Sequence, residues 1–360
     1  MKQQPYPLVQ SIRHTITGRG QATASNVAKI QFIEPGKSHS KDTPPYGTYH
    51  MQPNQLFRSL LVTIFVLIAP WVQAKPLNFE TEYQTFEKQP VSLQTLIGKK
   101  PIYLKFWATW CLDCRRELPS LERTYQQYND KIAIFAVNLN INETDETIRS
   151  LQQKNKLTIP ILMDNNGTIA GNFEFKGTPF HVLINNQGDV VYTTYTDDEQ
   201  LADQLAKLAS NSKTAATPAD ATVEISSVAK TSFPKGAAVM YFSATWCDWY
   251  MKDIHPELSS NCINALKIID KLYRSTPKLQ LSAYVTHLWT EQTDVNDYSK
   301  KFSLPYNVSV DKNNEQFRHF KAKRYPTVIV LKDGNEIARI TEFDGSEKPL
   351  QVIKAALDTH

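Results

Sequence analysis

A pair of cysteines at the end of a predicted strand constrains this chain more than any other stretch. The apolar run 102–107 predicts a buried strand, and residues 112–127 carry apolar side chains at helical spacing. Cys111 and Cys114 therefore fall where a strand ends and a helix begins. Unpaired amides and the helix dipole at that point favour an anion, so we predict that Cys111 is a nucleophile with a lowered pKa. Cys114, one helical turn later, is predicted to resolve its mixed disulfides.

The sequence around these cysteines, FWATWCLDCRRELP at residues 106–119, resembles the motif of the extracytoplasmic TlpA/ResA branch of the thioredoxin superfamily. The resemblance covers roughly residues 76–210 and implies a thioredoxin fold. It is supported by Gly177-Thr178-Pro179, which precedes an apolar strand. The resemblance implies that Pro179 is a cis-proline beside the cysteines and that Thr178 faces the substrate.

Two further residues near the cysteines have predicted roles. Trp110 is expected to be exposed beside the disulfide and to line the substrate contact. Lys105, six residues before Cys111, stands where relatives often have an acid or amide that assists proton transfer. Its ammonium either points under the disulfide and stabilises the thiolate, or extends to the surface.

The first 74 residues are predicted to lie outside any packed core. Residues 1–50 are polar, rich in proline and glycine, and without helix or strand period, so they are expected to be disordered or an over-extended gene start. Residues 51–74 have a positive charge, an apolar core of about ten residues and small residues at the end, which is typical of an export signal. Either the signal is cleaved after Ala74, or it remains as a membrane anchor.

The remaining chain predicts two domains separated by a linker. Residues 76–209 alternate strands and helices and end in a hairpin and a helix, which favours a central mixed β-sheet flanked by helices. Residues 210–224 are small, polar and aperiodic, as linkers are. Beyond them the chain repeats the landmarks of the first domain. The repeated landmarks are Ala-Thr-Trp-Cys at 108–111 and 244–247, an aspartate fifteen residues before a proline at Asp164 and Asp311, and the strand-opening prolines Pro179 and Pro326.

We therefore predict that residues 225–360 form a second thioredoxin-like domain, with Pro326 as its cis-proline. The fold class is then α/β, with two tandem thioredoxin-like folds. The second motif is altered, because Tyr250 stands where Cys114 stands in the first. Tyr325, before Pro326, is bulky and is expected to narrow the substrate groove.

Three interpretations of Cys247 stay open. It is a single attacking thiol, a degenerate thiol in a binding module, or the disulfide partner of Cys262. The third requires a helix break, because fifteen continuous helical residues would separate the sulfurs by about 22 Å. His255-Pro256 and residues 259–261 are suitable places for such a break.

Composition excludes several classes of function. The net charge is only +4, and no basic stripe with interleaved aromatic residues indicates nucleic-acid binding. Four cysteines are too few for a disulfide-stapled scaffold. No second CxxC or close histidine pair completes a zinc site, so no metal and no organic cofactor are predicted.

The sequence thus predicts a periplasmic or secreted thiol-disulfide oxidoreductase. Its expected partners are exported proteins with thiols or disulfides and an external electron donor or acceptor, with a membrane involved only if the signal stays uncleaved. The resemblance suggests a reductant in protein or cytochrome c maturation. The alternative is a client or copper chaperone whose tandem folds bind peptide, with incidental redox activity.

Overall fold

The computed structural model describes residues 77–79, 82–211, 235–312 and 314–358. The predicted N-terminal segment 1–50, the predicted export signal 51–74 and residues 212–224 of the predicted linker lie outside these ranges. Within the described ranges, no helix combines the length and the apolar character needed to cross a membrane.

The first domain, described over residues 77–79 and 82–211, alternates strands and helices as predicted. Its elements are β1 (Tyr83–Gln84), β2 (Pro90–Val91), β3 (Ile102–Trp107), α1 (Leu112–Tyr128), β4 (Ala133–Asn138), α2 (Asp145–Lys154), β5 (Ile161–Met163), β6 (Phe180–Ile184), β7 (Val190–Thr194) and α3 (Glu199–Asn211). Strands β6 and β7 form the predicted hairpin. Helix α3 continues to Asn211 and so includes the first two residues of the predicted linker.

The first sheet has the strand order β5-β4-β3-β6-β7. Strands β3, β4 and β5 are parallel, while β6 is antiparallel to both β3 and β7. All six residues of β3 are buried, because this strand lies at the centre of the sheet with helices on its faces. Helix α1 begins where β3 has ended, so its first turn lies at the carboxyl edge of the sheet.

The second domain, described over residues 235–312 and 314–358, repeats this topology. Its elements are β8 (Ala237–Ser243), α4 (Cys247–Tyr250), α5 (Pro256–Ser275), β9 (Gln280–Thr286), α6 (Gln292–Lys301), β10 (Val308–Asp311), α7 (Glu315–His319), β11 (Thr327–Lys332), β12 (Asn335–Ile340) and α8 (Lys348–Asp358). The sheet order β10-β9-β8-β11-β12 matches the first, with the same parallel and antiparallel pairs. Each domain is thus a thioredoxin-like fold with a central mixed sheet.

Asp164 and Asp311, the aspartates that repeat in the sequence, have the same structural role in their domains. The Asp164 carboxylate accepts hydrogen bonds from the amides of Ile169 and Ala170. The Asp311 carboxylate accepts three such bonds, from residues 315–317. Each carboxylate therefore holds the segment that leads towards the proline fifteen residues later.

The helix after the second motif is broken, unlike α1. Helix α4 ends at Tyr250, and α5 begins at Pro256. Proline is tolerated in the first helical turn because amides there have no acceptor within the helix, so its missing amide hydrogen costs no helical hydrogen bond. The Ser259 hydroxyl donates to the Asp248 carbonyl at 2.6 Å and ties the two helices together. The break brings Cys247 and Cys262 close enough for a disulfide, with their Cα atoms 6.2 Å apart.

Candidate active site

The first motif forms a disulfide at the start of a long helix. Cys111 is the N-cap of α1 and is joined to Cys114, with Cα atoms 5.2 Å apart. The Cys114 amide donates to the Cys111 sulfur at 3.2 Å. A helix of 17 residues directs unpaired amides and a positive dipole end at this sulfur, so the arrangement stabilises a thiolate at Cys111 when the bond is reduced.

The loop that carries Cys111 is anchored by two neighbouring groups. The Thr109 amide and hydroxyl donate to the two oxygens of the Glu143 carboxylate, at 2.6 and 2.5 Å. The Trp110 indole Nε1 donates to the Ile141 carbonyl at 2.6 Å. Burial raises the pKa of Glu143, although the bonds from Thr109 oppose the increase. These contacts fix the cysteine loop against the loop that follows β4.

The expectation that Trp110 is exposed is wrong. Its side chain is fully buried, because the second domain packs directly on it. The ring stacks on Trp246, with centroids 5.1 Å apart and planes 28° apart, and Trp289 meets both rings edge-on. Cys111 is 1% exposed and Cys114 is fully buried, so the predicted active site is closed.

The two domains meet through the same face of each fold. The Asn142 amide of the first domain donates to the Lys323 carbonyl of the second, at 2.9 Å. Reciprocally, the Trp289 amide of the second domain donates to the Lys176 carbonyl of the first, at 2.7 Å. In both pairs the corresponding residues are 147 positions apart (142 to 289 and 176 to 323), as are Pro179 and Pro326. The interface is therefore self-complementary, like that of a two-fold dimer.

The residues predicted to bind substrate lie in this interface region. The Thr178–Pro179 and Tyr325–Pro326 peptide bonds are both cis. Thr178 is 4% exposed, and both prolines are buried. Tyr325 is also buried, and its amide donates to the side-chain oxygen of Asn142 at 2.7 Å. Tyr325 thus occupies the contact between the domains.

A charged network lies buried between β3, β6 and helix α1. Lys105 is fully buried and pairs with Glu117, whose side chain is only 15% exposed. His181 Nε2 lies 3.4 Å from the same carboxylate, and its Nδ1 is 2.8 Å from the Tyr103 hydroxyl. The alternative in which Lys105 extends to the surface is therefore wrong. Glu117 contacts Lys105 and His181 because helix α1 faces the sheet at this position.

Burial and the contacts between these side chains shift the pKa values of Lys105, His181 and Glu117. Burial lowers the pKa of Lys105 despite its carboxylate partner, and burial also lowers the pKa of His181. Burial alone would raise the pKa of Glu117, but the contacts with His181 and Lys105 outweigh it, and the pKa lies below its ordinary value. The carboxylate is thus the charged partner on which the network depends.

Glu117→Gln is expected to lower the free energy of unfolding at pH 7 by about 3 kcal/mol, because it leaves the Lys105 ammonium buried without a counter-charge. The folded pKa of Glu117 is below the unfolded value, so acid favours the unfolded state. The stabilisation is therefore complete above about pH 4.5 and is lost as the pH falls through the folded pKa. Urea unfolding of both proteins from pH 3 to pH 7 measures the difference.

Glu122→Gln, on the same helix, is the matched control. Glu122 accepts hydrogen bonds from the Thr158 amide at Oε2 and from the Thr158 hydroxyl at Oε1. A glutamine oxygen can still accept from the amide, and the glutamine NH2 group can donate to the hydroxyl instead. We expect a loss of less than about 1 kcal/mol for this variant. Equal losses in the two variants would contradict the special role of the Lys105–Glu117 pair.

The second motif holds a disulfide instead of a free thiol. The structure joins Cys247 to Cys262, and these residues are fully buried and 3% exposed respectively. All four cysteines of the chain lie in the described ranges, and none is free. The single-thiol interpretation of Cys247 therefore does not describe this structure. Over the described part of the chain, no three His, Cys, Asp or Glu side chains come together as a metal site.

The residues that close the site have no recognisable signal in the sequence. Asn142 and Trp289 both have left-handed backbones, with φ of 51° and 48°, and both lie one residue after the carbonyl that binds a motif tryptophan. Asn142 and Trp289 are 147 positions apart and so correspond to each other in the two domains. Because their side chains are chemically different, the sequence repeat did not point to them. Glu117 had a weak signal, since it lies on a helix that faces a strand containing Lys105.

Comparisons with known proteins cover mainly the first domain. A family described as the AhpC/TSA family matches residues 72–193. The thioredoxin-like protein YneN of Bacillus subtilis is 36% identical over 120 residues, which are 32% of this chain and 69% of that protein. The thiol-disulfide oxidoreductase ResA of Halalkalibacterium halodurans is 31% identical over 133 residues, which are 36% of this chain and 73% of that protein.

Among solved structures, StoA from Bacillus subtilis is 25% identical and covers 37% of this chain and 99% of its own, with a TM-score of 0.32. YneN and ResA of Halalkalibacterium halodurans are each matched over more than two thirds of their own length at more than 30% identity. The fold, the strand order and the disulfide at the start of α1 agree with that similarity. The chain belongs to the thioredoxin-like thiol-disulfide oxidoreductases of the ResA type.

Proposed function

We propose that this oxidoreductase reduces disulfides in exported proteins through the Cys111–Cys114 pair. The position of Cys111 carries the proposal. Its sulfur accepts the Cys114 amide at 3.2 Å at the N-terminus of a 17-residue helix. This position supports a nucleophilic thiolate, because the same amides that meet the disulfide would stabilise the anion.

The exchange uses only cysteine sulfurs and protons. The Cys111 thiolate attacks one sulfur of a client disulfide, and the other client sulfur leaves as a thiolate. Cys114 then attacks the Cys111 sulfur of the mixed disulfide and releases the second client thiolate. The client has gained two electrons, and the enzyme is left with the Cys111–Cys114 disulfide. An external dithiol returns two electrons and resets the pair.

Trp110, Thr178 and Pro179 form the surface that receives the client in this proposal. All three residues are buried against or beside the second domain in the closed structure. The client is therefore received only when the second domain moves away. Pro326 is the corresponding proline of the second domain and belongs to its matching face.

The compartment and clients are also part of the proposal. The export-signal pattern at residues 51–74 and the two disulfides support a periplasmic or secreted protein, since disulfides persist in oxidising compartments. The proposed clients are exported proteins with reducible cysteine pairs, and the family resemblance of the motif extends the proposal to the cysteines of apocytochrome c.

Cys114→Ala tests this function by trapping the client. Without the resolving thiol, the mixed disulfide on Cys111 persists, and clients become covalently bound to the enzyme. We expect client proteins to be identified by mass spectrometry after expression of this variant in the native host. In parallel, the wild type should reduce insulin over many catalytic cycles. The variant should stop after each chain has formed one mixed disulfide with insulin.

Cys111→Ala/Cys114→Ala is the matched control for the trap. It retains the fold and the closed face but has no attacking sulfur in the first domain. Clients on Cys114→Ala that are absent from this control support the reductase. An empty trap, or clients bound equally and without turnover by both variants, would favour the chaperone alternative.

A further inference from the structure

The second disulfide lies at the same place in its fold as the first. Cys247 follows Trp246 as Cys111 follows Trp110, and each tryptophan donates its indole hydrogen to the carbonyl at the corresponding position of the next loop. Those carbonyls belong to Ile141 and Leu288, 147 positions apart. The cysteine that corresponds to the predicted nucleophile is therefore the one that carries the second disulfide.

The two cysteine loops touch each other directly. The Leu112 amide, one residue after Cys111, donates to the Tyr250 hydroxyl at 3.2 Å. Tyr250 holds the position in the second motif that Cys114 holds in the first. Burial raises the pKa of Tyr250, although the hydrogen bond from the Leu112 amide opposes the increase. The contact joins one motif to the other across the interface.

All four cysteines belong to one buried apolar cluster. The cluster spans both domains and also contains Trp110 and Trp246, which stack between the two cysteine loops. In the closed structure no cysteine is more than 3% exposed. Reagents in solution are therefore kept from both disulfides while the two domains stay closed on each other.

We propose that Cys247–Cys262 is a second redox site whose substrate is the reduced Cys111–Cys114 pair of the same chain. The Cys111 thiolate attacks the Cys247 sulfur, an interdomain Cys111–Cys247 disulfide forms, and Cys262 leaves as a thiolate. Cys114 then attacks Cys111 and releases the Cys247 thiolate. The first pair is oxidised by two electrons, and the second is reduced by two. An external dithiol supplies these electrons by reducing Cys111–Cys114 first.

This inference rests on the proposed dithiol chemistry of the first motif, but it assigns a different substrate. The stacked tryptophans and the reciprocal bonds of residues 142 and 289 orient the two motifs toward each other. A disulfide that served only to staple α4 to α5 would not need this relation to the first motif. A structural disulfide and a redox relay therefore predict different results when one cysteine of each pair is removed. Only the relay predicts that the two remaining cysteines form a disulfide between the domains.

The test uses the full chain with Cys114→Ser and Cys262→Ser, which leaves Cys111 and Cys247. The protein is equilibrated with reduced and oxidised glutathione, quenched in acid, alkylated and mapped by mass spectrometry without reduction. We expect the Cys111–Cys247 linked peptide to exceed glutathione adducts at least tenfold. The matched control, Cys114→Ser with Cys247→Ser, should carry glutathione adducts and no linked peptide. Adducts on Cys111 and Cys247 without a link would overturn the proposal.

A second measurement keeps the Cys247–Cys262 disulfide in place. Oxidised wild type and the Cys111→Ser/Cys114→Ser variant are mixed with dithiothreitol, and the reduction of the second disulfide is followed by mass spectrometry. We expect reduction to be at least tenfold slower in the variant, because its electrons cannot pass through the first pair. Equal rates would overturn the relay even if the first test fails through misfolding.

The two proposals fail in different ways. A full client trap on Cys114→Ala with no interdomain link would remove the relay alone. An interdomain link, together with a client trap that is empty on Cys114→Ala/Cys247→Ala/Cys262→Ala, which cannot form that link, would remove the reduction of exported proteins and leave the relay.

Discussion

Replacing Cys111 with serine is expected to lower the rate of insulin reduction by about a thousandfold or more, because the variant loses the attacking nucleophile. A serine hydroxyl does not ionise near neutral pH and cannot form a mixed disulfide. The helix N-terminus that stabilises the Cys111 thiolate then has no anion to act on. Initial rates of insulin reduction with dithiothreitol as donor, compared at equal protein concentration, measure the loss.

Cys114→Ser is the matched control, since it makes the same chemical change in the same disulfide. It should retain a burst of one mixed disulfide per chain, whereas Cys111→Ser should give none. Thermal unfolding under reducing conditions checks that both variants remain folded. A normal burst in Cys111→Ser would mean that another sulfur attacks, and the assignment of the nucleophile would be withdrawn.

Gly177→Ala is expected to make reduced Cys111 about 10- to 100-fold more reactive toward iodoacetamide and external disulfides. A Cβ at this position would overlap the Trp289 indole Nε1 and would lie 2.5 Å from its Cδ1. The indole cannot move freely, because it is packed against Trp110, Trp246 and Tyr250. Overpacking of this kind costs about 1–3 kcal/mol, which we expect to be relieved by separation of the domains.

Gly171→Ala is the control for this variant. It lies in the same segment, and its added Cβ would meet only the flexible end of Arg318, at 3.3 Å. Its reactivity should remain within about twofold of the wild type. The double variant Gly177→Ala/Trp289→Ala removes the overlap but also removes the indole from the interface, so it should stay reactive. An unchanged alkylation rate in Gly177→Ala would show that the interface absorbs the methyl group while closed.

The cysteine motif and the strands around it could be predicted because their signals are local. The run 102–107 is apolar at every position but one, and the hairpin 180–194 has a turn between two β-branched or apolar segments. Cys111 and Cys114 follow from their spacing at a strand–helix junction. The repeat of the aspartate and the proline after 147 residues predicted the second fold without any knowledge of its contacts.

The closed interface could not be predicted in this way. Trp110 was expected to be exposed, because its burial depends on Trp246 and Trp289, which lie far away in the sequence. The partner of Cys247 remained open, because it depended on where the helix breaks. The ion pair of Glu117 was not predicted, because helical spacing shows which face of the helix a residue occupies but not which charged side chain lies on the opposing strand.

The reciprocal bonds of Asn142 and Trp289 also have a consequence for how strongly clients must bind. The second domain covers the active site and belongs to the same polypeptide. It therefore competes with clients for the face of the first domain at an effective concentration that, for tethered modules, is commonly about millimolar. Dilution of the enzyme does not remove this competitor, and higher expression does not add to it. A client at micromolar concentration must therefore bind the first domain tightly enough to displace the second domain. Proteins that bind the first domain only weakly do not reach Cys111.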